Sequence, residues 1–267
     1  MSRQLNLPHL VIILALLISG CDFNSSESED SVGYIPPPPS NRYIQNSLEF
    51  HYGDTVFYYA VAAPEDYASR TDIPVIMYLH GNGGDENSDL WAITGYVDGV
   101  VKECGVEQPL IIFPGNQNRF YILDQNQGVA VALLEHVAQD YKLAGPEKNM
   151  IMGFSTGGST AVRAAIVNPG SYTVSYSWGG GIWPKDDYLF GAVATNAAVL
   201  NDNKFKAVLI NGDDDEPEAY DKLIGFFKDE SLNYEKIILQ NQGHDLGLYL
   251  QQSRDHLKTT ICDLLKK

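Results

Sequence analysis

From about residue 73 to the end of the chain, short apolar runs alternate with longer amphipathic stretches. Ile73–Leu79, Leu110–Phe113 and Met150–Phe154 are short and apolar, as expected for strands that are buried on both faces of a sheet. The stretches between such runs carry apolar residues at helical spacing. This alternation predicts an α/β domain with a mostly parallel sheet and helices on both of its faces.

The pattern predicts eight strands, of which the first two form an antiparallel hairpin around Gly53-Asp54. The predicted strands are Ser47–Tyr52, Thr55–Ala62, Ile73–Leu79, Leu110–Phe113, Met150–Phe154, Tyr172–Trp178, Phe205–Ile210 and Tyr234–Leu239. A single last helix is expected over Leu246–Leu265, and no insertion is long enough for a large lid. Ligands of such sheets bind beyond the carboxyl ends of the strands, so the turns there are the candidate sites.

The first 40 residues differ in composition from the rest. Leu10–Ile18 is an apolar run too short to cross a hydrocarbon core of ~30 Å, and it is typical of a signal peptide. The sequence LISGC, ending at Cys21, resembles the bacterial lipobox. This resemblance implies a signal peptide over residues 1–21, cleavage before Cys21 and lipidation of its thiol. The alternative is an ordinary secretory signal with a chance cysteine.

Residues 22–40 are rich in serine, acidic residues and proline, which predicts a disordered tether ahead of a folded domain at 41–267. We therefore expect a protein of the bacterial cell envelope, anchored by lipid on the periplasmic or surface side of a membrane. Which leaflet it occupies stays open. Cys104 and Cys262 would then face an oxidising compartment, but the sequence does not give the distance between them.

The formal net charge of −16 argues against a nucleic-acid partner, because so acidic a surface repels phosphate backbones. The sequence carries no indication of oligomeric state.

The turn Gly153-Phe154-Ser155-Thr156-Gly157 matches Gly-x-Ser-x-Gly and lies between a predicted strand and a predicted helix. In that context the glycines leave room for a sharp turn that presents the serine as a nucleophile, here Ser155. A phosphate-binding loop is the alternative, but it needs a lysine near its end. No lysine lies between Lys148 and Lys185.

The turn after Ile73–Leu79 reads His80-Gly81-Asn82-Gly83-Gly84. Such a turn directs backbone amides towards a developing oxyanion, and the candidate donors are the amides of Asn82 and Thr156. A histidine at the head of the turn more often braces the loop than acts as a base. We therefore expect His80 to support the conformation of this loop.

Two later turns offer an acid and a base. Asp213, Asp214 and Asp215 follow the strand at Phe205–Ile210, and the residues alone do not select among them. His244 follows the strand at Tyr234–Leu239. The chain order Ser, Asp, His, with each residue beyond a strand, makes His244 the candidate general base.

Four segments together resemble the α/β-hydrolase fold, in the esterase D and feruloyl-esterase-like group of carbohydrate esterase family one. They are MYLHGNGGDENSDLW, PLIIFPG, GFSTGGSTA and GHDLGLYL, and the resemblance spans about residues 41–265. It implies a serine esterase without metal or cofactor. The group's Gly-x-x-Asp pattern falls on Asp215, and its oxyanion positions fall on Asn82 and Thr156. Thr156 replaces the group's usual methionine, which keeps the amide but changes the pocket wall.

The substrate is less well defined by the sequence. Trp178 and Trp183 flank a run of three glycines and would either stack on a sugar or an aromatic acid, or belong to the core. Feruloyl, acetyl and short-chain acyl esters all fit an esterase of this kind. The alternatives are a tethered carbohydrate-binding module with a vestigial triad, a serine peptidase, or an acyltransferase on the same fold.

Overall fold

The computed structural model describes residues 41–115, 128–182 and 185–266. The predicted signal peptide, its Cys21, the tether and Trp183 lie outside the described residues. The strands are β1 Arg42–Tyr52, β2 Thr55–Pro64, β3 Val75–Leu79, β4 Leu110–Pro114, β5 Asn149–Phe154, β6 Val174–Trp178, β7 Lys206–Gly212 and β8 Asn233–Leu239. The helices are α1 Leu90–Cys104, α2 Val129–Val137, α3 Thr156–Val167, α4 Asp187–Asp202, α5 Asp221–Asp229, α6 Leu246–Gln252 and α7 Arg254–Leu265.

The eight strands form one sheet in the order β1-β2-β4-β3-β5-β6-β7-β8. β1 pairs antiparallel with β2, and β2 pairs antiparallel with β4. All the other neighbours are parallel. The predicted α/β class, the strand number and the antiparallel hairpin are therefore confirmed.

Both faces of the sheet are covered, because successive side chains of a strand point to opposite sides. In β3, Val75, Met77 and Leu79 join one buried cluster, which also contains residues of α2, α3, α4 and α5. Ile76 and Tyr78 join a second cluster with residues of α1, α6 and α7. This explains why the central strands are apolar throughout.

The first strand begins earlier than predicted, at Arg42 instead of Ser47. Its polar start is stabilised by Arg42, whose side chain is 1% exposed and binds Asp98 with an Nη2–Oδ1 distance of 2.5 Å. The same guanidinium donates to the carbonyl oxygens of Ala62, at 2.9 Å, and Pro109. A register shift between Gln45 and Leu48 interrupts the alternation that would have predicted this half of the strand.

The predicted last helix is in fact two helices. α6 and α7 meet at Ser253, which is fully buried, and the backbone departs there from helical geometry, with φ −96° and ψ 10°.

A disulfide joins Cys104, the last residue of α1, to Cys262 in α7, with a Cα–Cα distance of 5.4 Å. The bond links two helices on the same face of the sheet. No helix within the three described ranges is both long enough and apolar enough to cross a membrane.

Candidate active site

The candidate residues meet at one edge of the sheet. Ser155 follows β5, Asp215 follows β7 and His244 follows β8, while the turn at Asn82 follows β3. These strands are parallel, with only β6 between β5 and β7. Their carboxyl ends therefore lie at the same edge, and the structure brings the predicted turns together there.

Ser155 lies in a strained turn between β5 and α3. Its φ of 57° and ψ of −125° are rare for a residue with a side chain. Neighbouring backbone leaves no space beside it: a Cβ on Gly157 would lie 2.0 Å from the carbonyl oxygen of Leu79. A Cβ on Gly153 would lie 2.5 Å from the carbonyl oxygen of Gly157. The two glycines of Gly-x-Ser-x-Gly are therefore required by packing, as the sequence predicted.

A continuous chain of hydrogen bonds joins the three candidate side chains. Ser155 Oγ lies 2.9 Å from His244 Nε2, and His244 Nδ1 lies 2.8 Å from Asp215 Oδ2. The Asp215 side chain is 11% exposed, whereas that of His244 is 45% exposed. The ring of Phe154 packs beside the imidazole, with 4.8 Å between the ring centroids. This arrangement allows the imidazole to accept the hydroxyl proton while the carboxylate stabilises the resulting positive charge.

The three consecutive aspartates have different contacts. The Asp213 carboxylate accepts from the amide of Gln242 at 3.1 Å, and backbone amides of Gln242 and Asn241 lower the pKa of Asp213. The Asp213 and Asp214 amides donate to Leu239 and Gln242 in turn. Asp213 and Asp214 thus hold the β7 and β8 loops together.

Asp215, the aspartate that the resemblance selected, is the one whose carboxylate reaches His244. Its position next to the ring depends on the loop contacts made by Asp213 and Asp214.

The two candidate oxyanion donors belong to the residue that follows the serine and to a turn that packs against the serine. Thr156 is the first residue of α3, and its amide therefore has no acceptor within the helix. The turn of Asn82 approaches the serine closely, since a Cβ on Gly81 would lie 3.4 Å from Ser155 Cβ. Among the described residues, neither the Asn82 nor the Thr156 amide donates to a backbone acceptor. Both are thus available for a bound oxygen.

His80 is buried at the head of this turn, with 3% of its surface exposed. Its Nδ1 lies 2.6 Å from the Gly81 carbonyl oxygen, and the ring packs against Gly84. Burial lowers the pKa of His80 below 6.5. These contacts fit the bracing position expected from the sequence.

The hypothesis that Trp178 stacks on substrate is wrong. The residue is completely buried, and its Nε1 donates to Ser253 Oγ at 2.7 Å. Its ring packs edge-on against Tyr96 and Tyr176. Because Trp178 ends a strand whose two faces are both covered, its indole belongs to the core. The companion hypothesis for Trp183 falls outside the described residues.

Sequence reasoning did not single out Tyr249, although it lies within the segment GHDLGLYL. Its hydroxyl lies 2.6 Å from Asp215 Oδ2 and 2.7 Å from the amide nitrogen of Gly212. A tyrosine on the buried face of the helix after His244 needs a polar partner for its hydroxyl. This requirement is the one indication in the sequence that Tyr249 has a polar partner at the site.

A serine in a strand-to-helix turn, hydrogen-bonded to a histidine at the carboxyl edge of this sheet, defines an α/β-hydrolase. Residues 58–216 match the esterase family, described as "Putative esterase". The chain belongs to this family and is a carboxylic ester hydrolase. The match includes Ser155 and Asp215 and ends before His244. A search of curated protein sequences found no match.

Solved structures with the same fold include two ferulic acid esterases, both with a TM-score of 0.66. One is 14% identical and aligns over 85% of this chain and 98% of its own. The other, from the anaerobic fungus Anaeromyces mucronatus, is 15% identical over 88% of this chain and 97% of its own. An S-formylglutathione hydrolase from Staphylococcus aureus has a TM-score of 0.62 and 17% identity over 85% and 99% of the two chains.

Proposed function

We propose that the protein is a serine esterase in which Ser155, His244 and Asp215 form the catalytic triad. The observation that carries this proposal is the unbroken hydrogen-bond chain from Ser155 Oγ through the imidazole to Asp215 Oδ2. The strained backbone of Ser155 supports it, because strain at one residue persists only where the surrounding structure enforces it.

In the acylation step, Ser155 Oγ attacks the ester carbonyl carbon while His244 Nε2 takes the hydroxyl proton. Asp215 holds the ring with Nδ1–H towards the carboxylate and stabilises the imidazolium. The amides of Asn82 and Thr156 donate to the oxyanion, each contributing ~3–4 kcal/mol of transition-state stabilisation. His244 then gives its proton to the leaving alcohol oxygen, and the carbon–oxygen bond of the ester breaks.

Deacylation repeats the same proton movements with water as the nucleophile. His244 takes a proton from the water as its oxygen attacks the acyl carbon, and then returns a proton to Ser155 Oγ. The carboxylic acid leaves and the free serine is restored. No metal or cofactor takes part in this scheme.

As substrate we propose an acyl ester of a carbohydrate, with acetyl or feruloyl as the acyl group. The structural similarity to ferulic acid esterases supports this choice, one of which was solved in complex with ferulic acid. The exposed position of His244 also supports it, because His244 must protonate the leaving alcohol and a large sugar could reach it from solvent.

Hydrolysis of p-nitrophenyl acetate by the purified protein and by Ser155→Ala tests the triad. We expect the variant to lose activity by several orders of magnitude while keeping its fold. Equal rates would overturn the assignment. A panel of acetylated and feruloylated xylan fragments beside simple alkyl esters then tests the substrate, and a preference for the alkyl esters would count against a carbohydrate ester.

We also propose that the protein is anchored in the cell envelope through a lipid on Cys21. The sequence LISGC motivates the proposal, and the disulfide between Cys104 and Cys262 supports exposure to an oxidising compartment. Mass spectrometry of the mature protein from membranes tests it. We expect a lipidated N-terminal cysteine that disappears in Cys21→Ser, and an unmodified mature N-terminus elsewhere would refute it.

A further inference from the structure

The hydroxyl of Tyr249 lies between the acid of the proposed triad and the end of β7. It is 2.6 Å from Asp215 Oδ2 and 2.7 Å from the amide nitrogen of Gly212. The residue is fully buried in α6, five positions after His244. Asp215 Oδ2 is also the atom that lies 2.8 Å from His244 Nδ1. One carboxylate oxygen therefore has two partners.

The direction of these hydrogen bonds follows from the chemistry of the groups. A backbone N–H can only donate, so the phenol oxygen accepts from Gly212 and its one hydrogen is directed to Asp215. Burial and the hydrogen bond to the carboxylate both raise the pKa of Tyr249, so the phenol stays protonated. Asp215 Oδ2 thus receives hydrogen bonds from a phenol and from the imidazole.

The helix that carries Tyr249 is fixed by further buried contacts. Trp178 Nε1 donates to Ser253 Oγ, and Ser253 Oγ in turn donates to the carbonyl oxygen of Tyr249 at 2.6 Å. The hydroxyl of Tyr96 donates to the carbonyl oxygen of Leu250, also at 2.6 Å. The phenol consequently has little freedom to follow a rotation of the carboxylate.

We propose that Tyr249 is a positioning residue of this esterase. It fixes the orientation of the Asp215 carboxylate, and its hydrogen bond to Oδ2 reduces the negative charge that this carboxylate presents to His244. The inference rests on the proposed triad. When the phenol donates to Oδ2, the carboxylate acts less strongly on the imidazole, which favours the neutral ring that can accept a proton from serine. The same hydrogen bond keeps Oδ2 directed at Nδ1.

Two carboxylates that lie close to Asp215 and His244 in the sequence, those of Asp213 and Asp245, have other partners. The carboxylate of Asp213 accepts from backbone amides of its own loop and the β8 loop, and that of Asp245 caps α6 by accepting from Leu248 N–H at 2.9 Å. Gly179, which follows β6, packs against the hydrogen bond between Asp215 and His244. A Cβ on Gly179 would lie 2.8 Å from Asp215 Oδ2 and 3.3 Å from His244 Nδ1. Asp215 is thus the carboxylate in contact with the imidazole, and Tyr249 modulates it.

Tyr249→Phe tests the proposal, because it removes the hydroxyl and keeps the ring that packs near Phe154. We expect kcat/KM to fall about tenfold through kcat, with KM nearly unchanged, since a hydrogen bond to a charged group is lost. We also expect the acidic limb of the pH profile to move up by about half a unit, because the full charge of Asp215 then favours a protonated imidazole.

Tyr96→Phe is the matched control. It also removes a buried tyrosine hydroxyl, one that is bonded to the carbonyl of the very next residue of α6, but it does not reach Asp215. We expect this variant to lose stability while keeping both kcat and the pH profile of the wild type. Equal effects of the two substitutions on the profile would mean that α6 packing alone is responsible, and would overturn the proposal.

Asp215→Asn provides the second test, in a double-mutant cycle. If Tyr249 acts through Asp215, adding Tyr249→Phe to Asp215→Asn changes kcat little further. Fully additive losses would refute the mechanism. Should Tyr249→Phe not fold, 3-fluorotyrosine placed only at position 249 keeps the hydroxyl and makes it a stronger donor. The acidic limb should then move to lower pH, and an unchanged limb would contradict the proposal.

Ser155→Ala separates the two levels of inference. Full activity in Ser155→Ala would remove the proposed triad itself. Loss of activity in Ser155→Ala, together with a wild-type rate and pH profile in Tyr249→Phe, would leave the esterase proposal intact and remove only the role of Tyr249.

Discussion

Reduction of the disulfide between Cys104 and Cys262 should cost a large part of the stability of the domain. The two cysteines are separated by 158 positions in the sequence. Closing a loop of this length removes conformational entropy from the unfolded chain, which corresponds to about 5 kcal/mol at 298 K in the loop-entropy model. Because domains are typically stable by only ~5–15 kcal/mol, such a loss is readily measured.

The assay is the unfolding of the protein in urea, with and without a phosphine reductant, monitored by far-ultraviolet circular dichroism. We expect the midpoint to fall on reduction, together with a larger m-value, because the reduced unfolded chain is less compact. Thiol titration establishes that the bond has been reduced. The double variant Cys104→Ala/Cys262→Ala is the control, and the reductant should not change its midpoint.

A loss below about 1 kcal/mol, with both thiols titrated as free, would refute the reasoning. It would mean that the unfolded chain already keeps α1 and α7 together without the bond, so that closing the loop removes little entropy.

Three further predictions concern single residues. Gly157→Ala should destabilise the domain by ~1–3 kcal/mol and suppress ester hydrolysis, because its Cβ would meet the backbone of β3. Gly191→Ala in α4 is the control: its Cβ has open space, and because alanine favours a helix by up to ~1 kcal/mol over glycine, thermal stability should rise slightly and activity should not change. Arg42→Met should lower the free energy of unfolding in urea by ~3–5 kcal/mol by leaving Asp98 without its buried cation; no change would show the pair to be dispensable. His80 has a lowered pKa in the folded state, so the unfolded chain binds more protons and the free energy of unfolding should fall as the pH drops below 6.5. In His80→Gln this pH dependence should be weaker, and an equal slope of the free energy of unfolding against pH in both proteins would exclude His80 as its source.

The sheet and the four site turns could be predicted because each depends on local pattern. Apolar runs mark strands that are covered on both faces, and glycines mark the turn where backbone crowds Ser155. The start of β1 was missed because the register shift after Gln45 breaks its alternation. The choice of Asp215 came from a family resemblance, since three adjacent aspartates are equivalent until the β7 and β8 loops bring one of them to His244.

The roles of Trp178, Ser253 and Tyr249 could not be predicted because they depend on contacts between distant segments. A tryptophan at the end of a strand can either contact a ligand or pack in the core. Trp178 packs in the core, where its Nε1 donates to the buried hydroxyl of Ser253. The same serine lies at the junction of α6 and α7. Tyr249 reaches Asp215 across a sequence separation of 34 residues, and no local pattern records that distance.

The sheet ends at β8, and this placement gives the groups of the proposed triad unequal local stability. β8 has a strand neighbour on one side only, and most of its residues are partly or fully exposed, whereas β5 lies in the buried centre of the sheet. Edge elements open more readily than central ones. A transient detachment of β8 would remove His244 from a Ser155 that stays in place. The rate of ester hydrolysis should therefore be sensitive to local opening of the edge strand β8. Mild denaturant should inactivate the enzyme at a lower concentration than the one that unfolds the core.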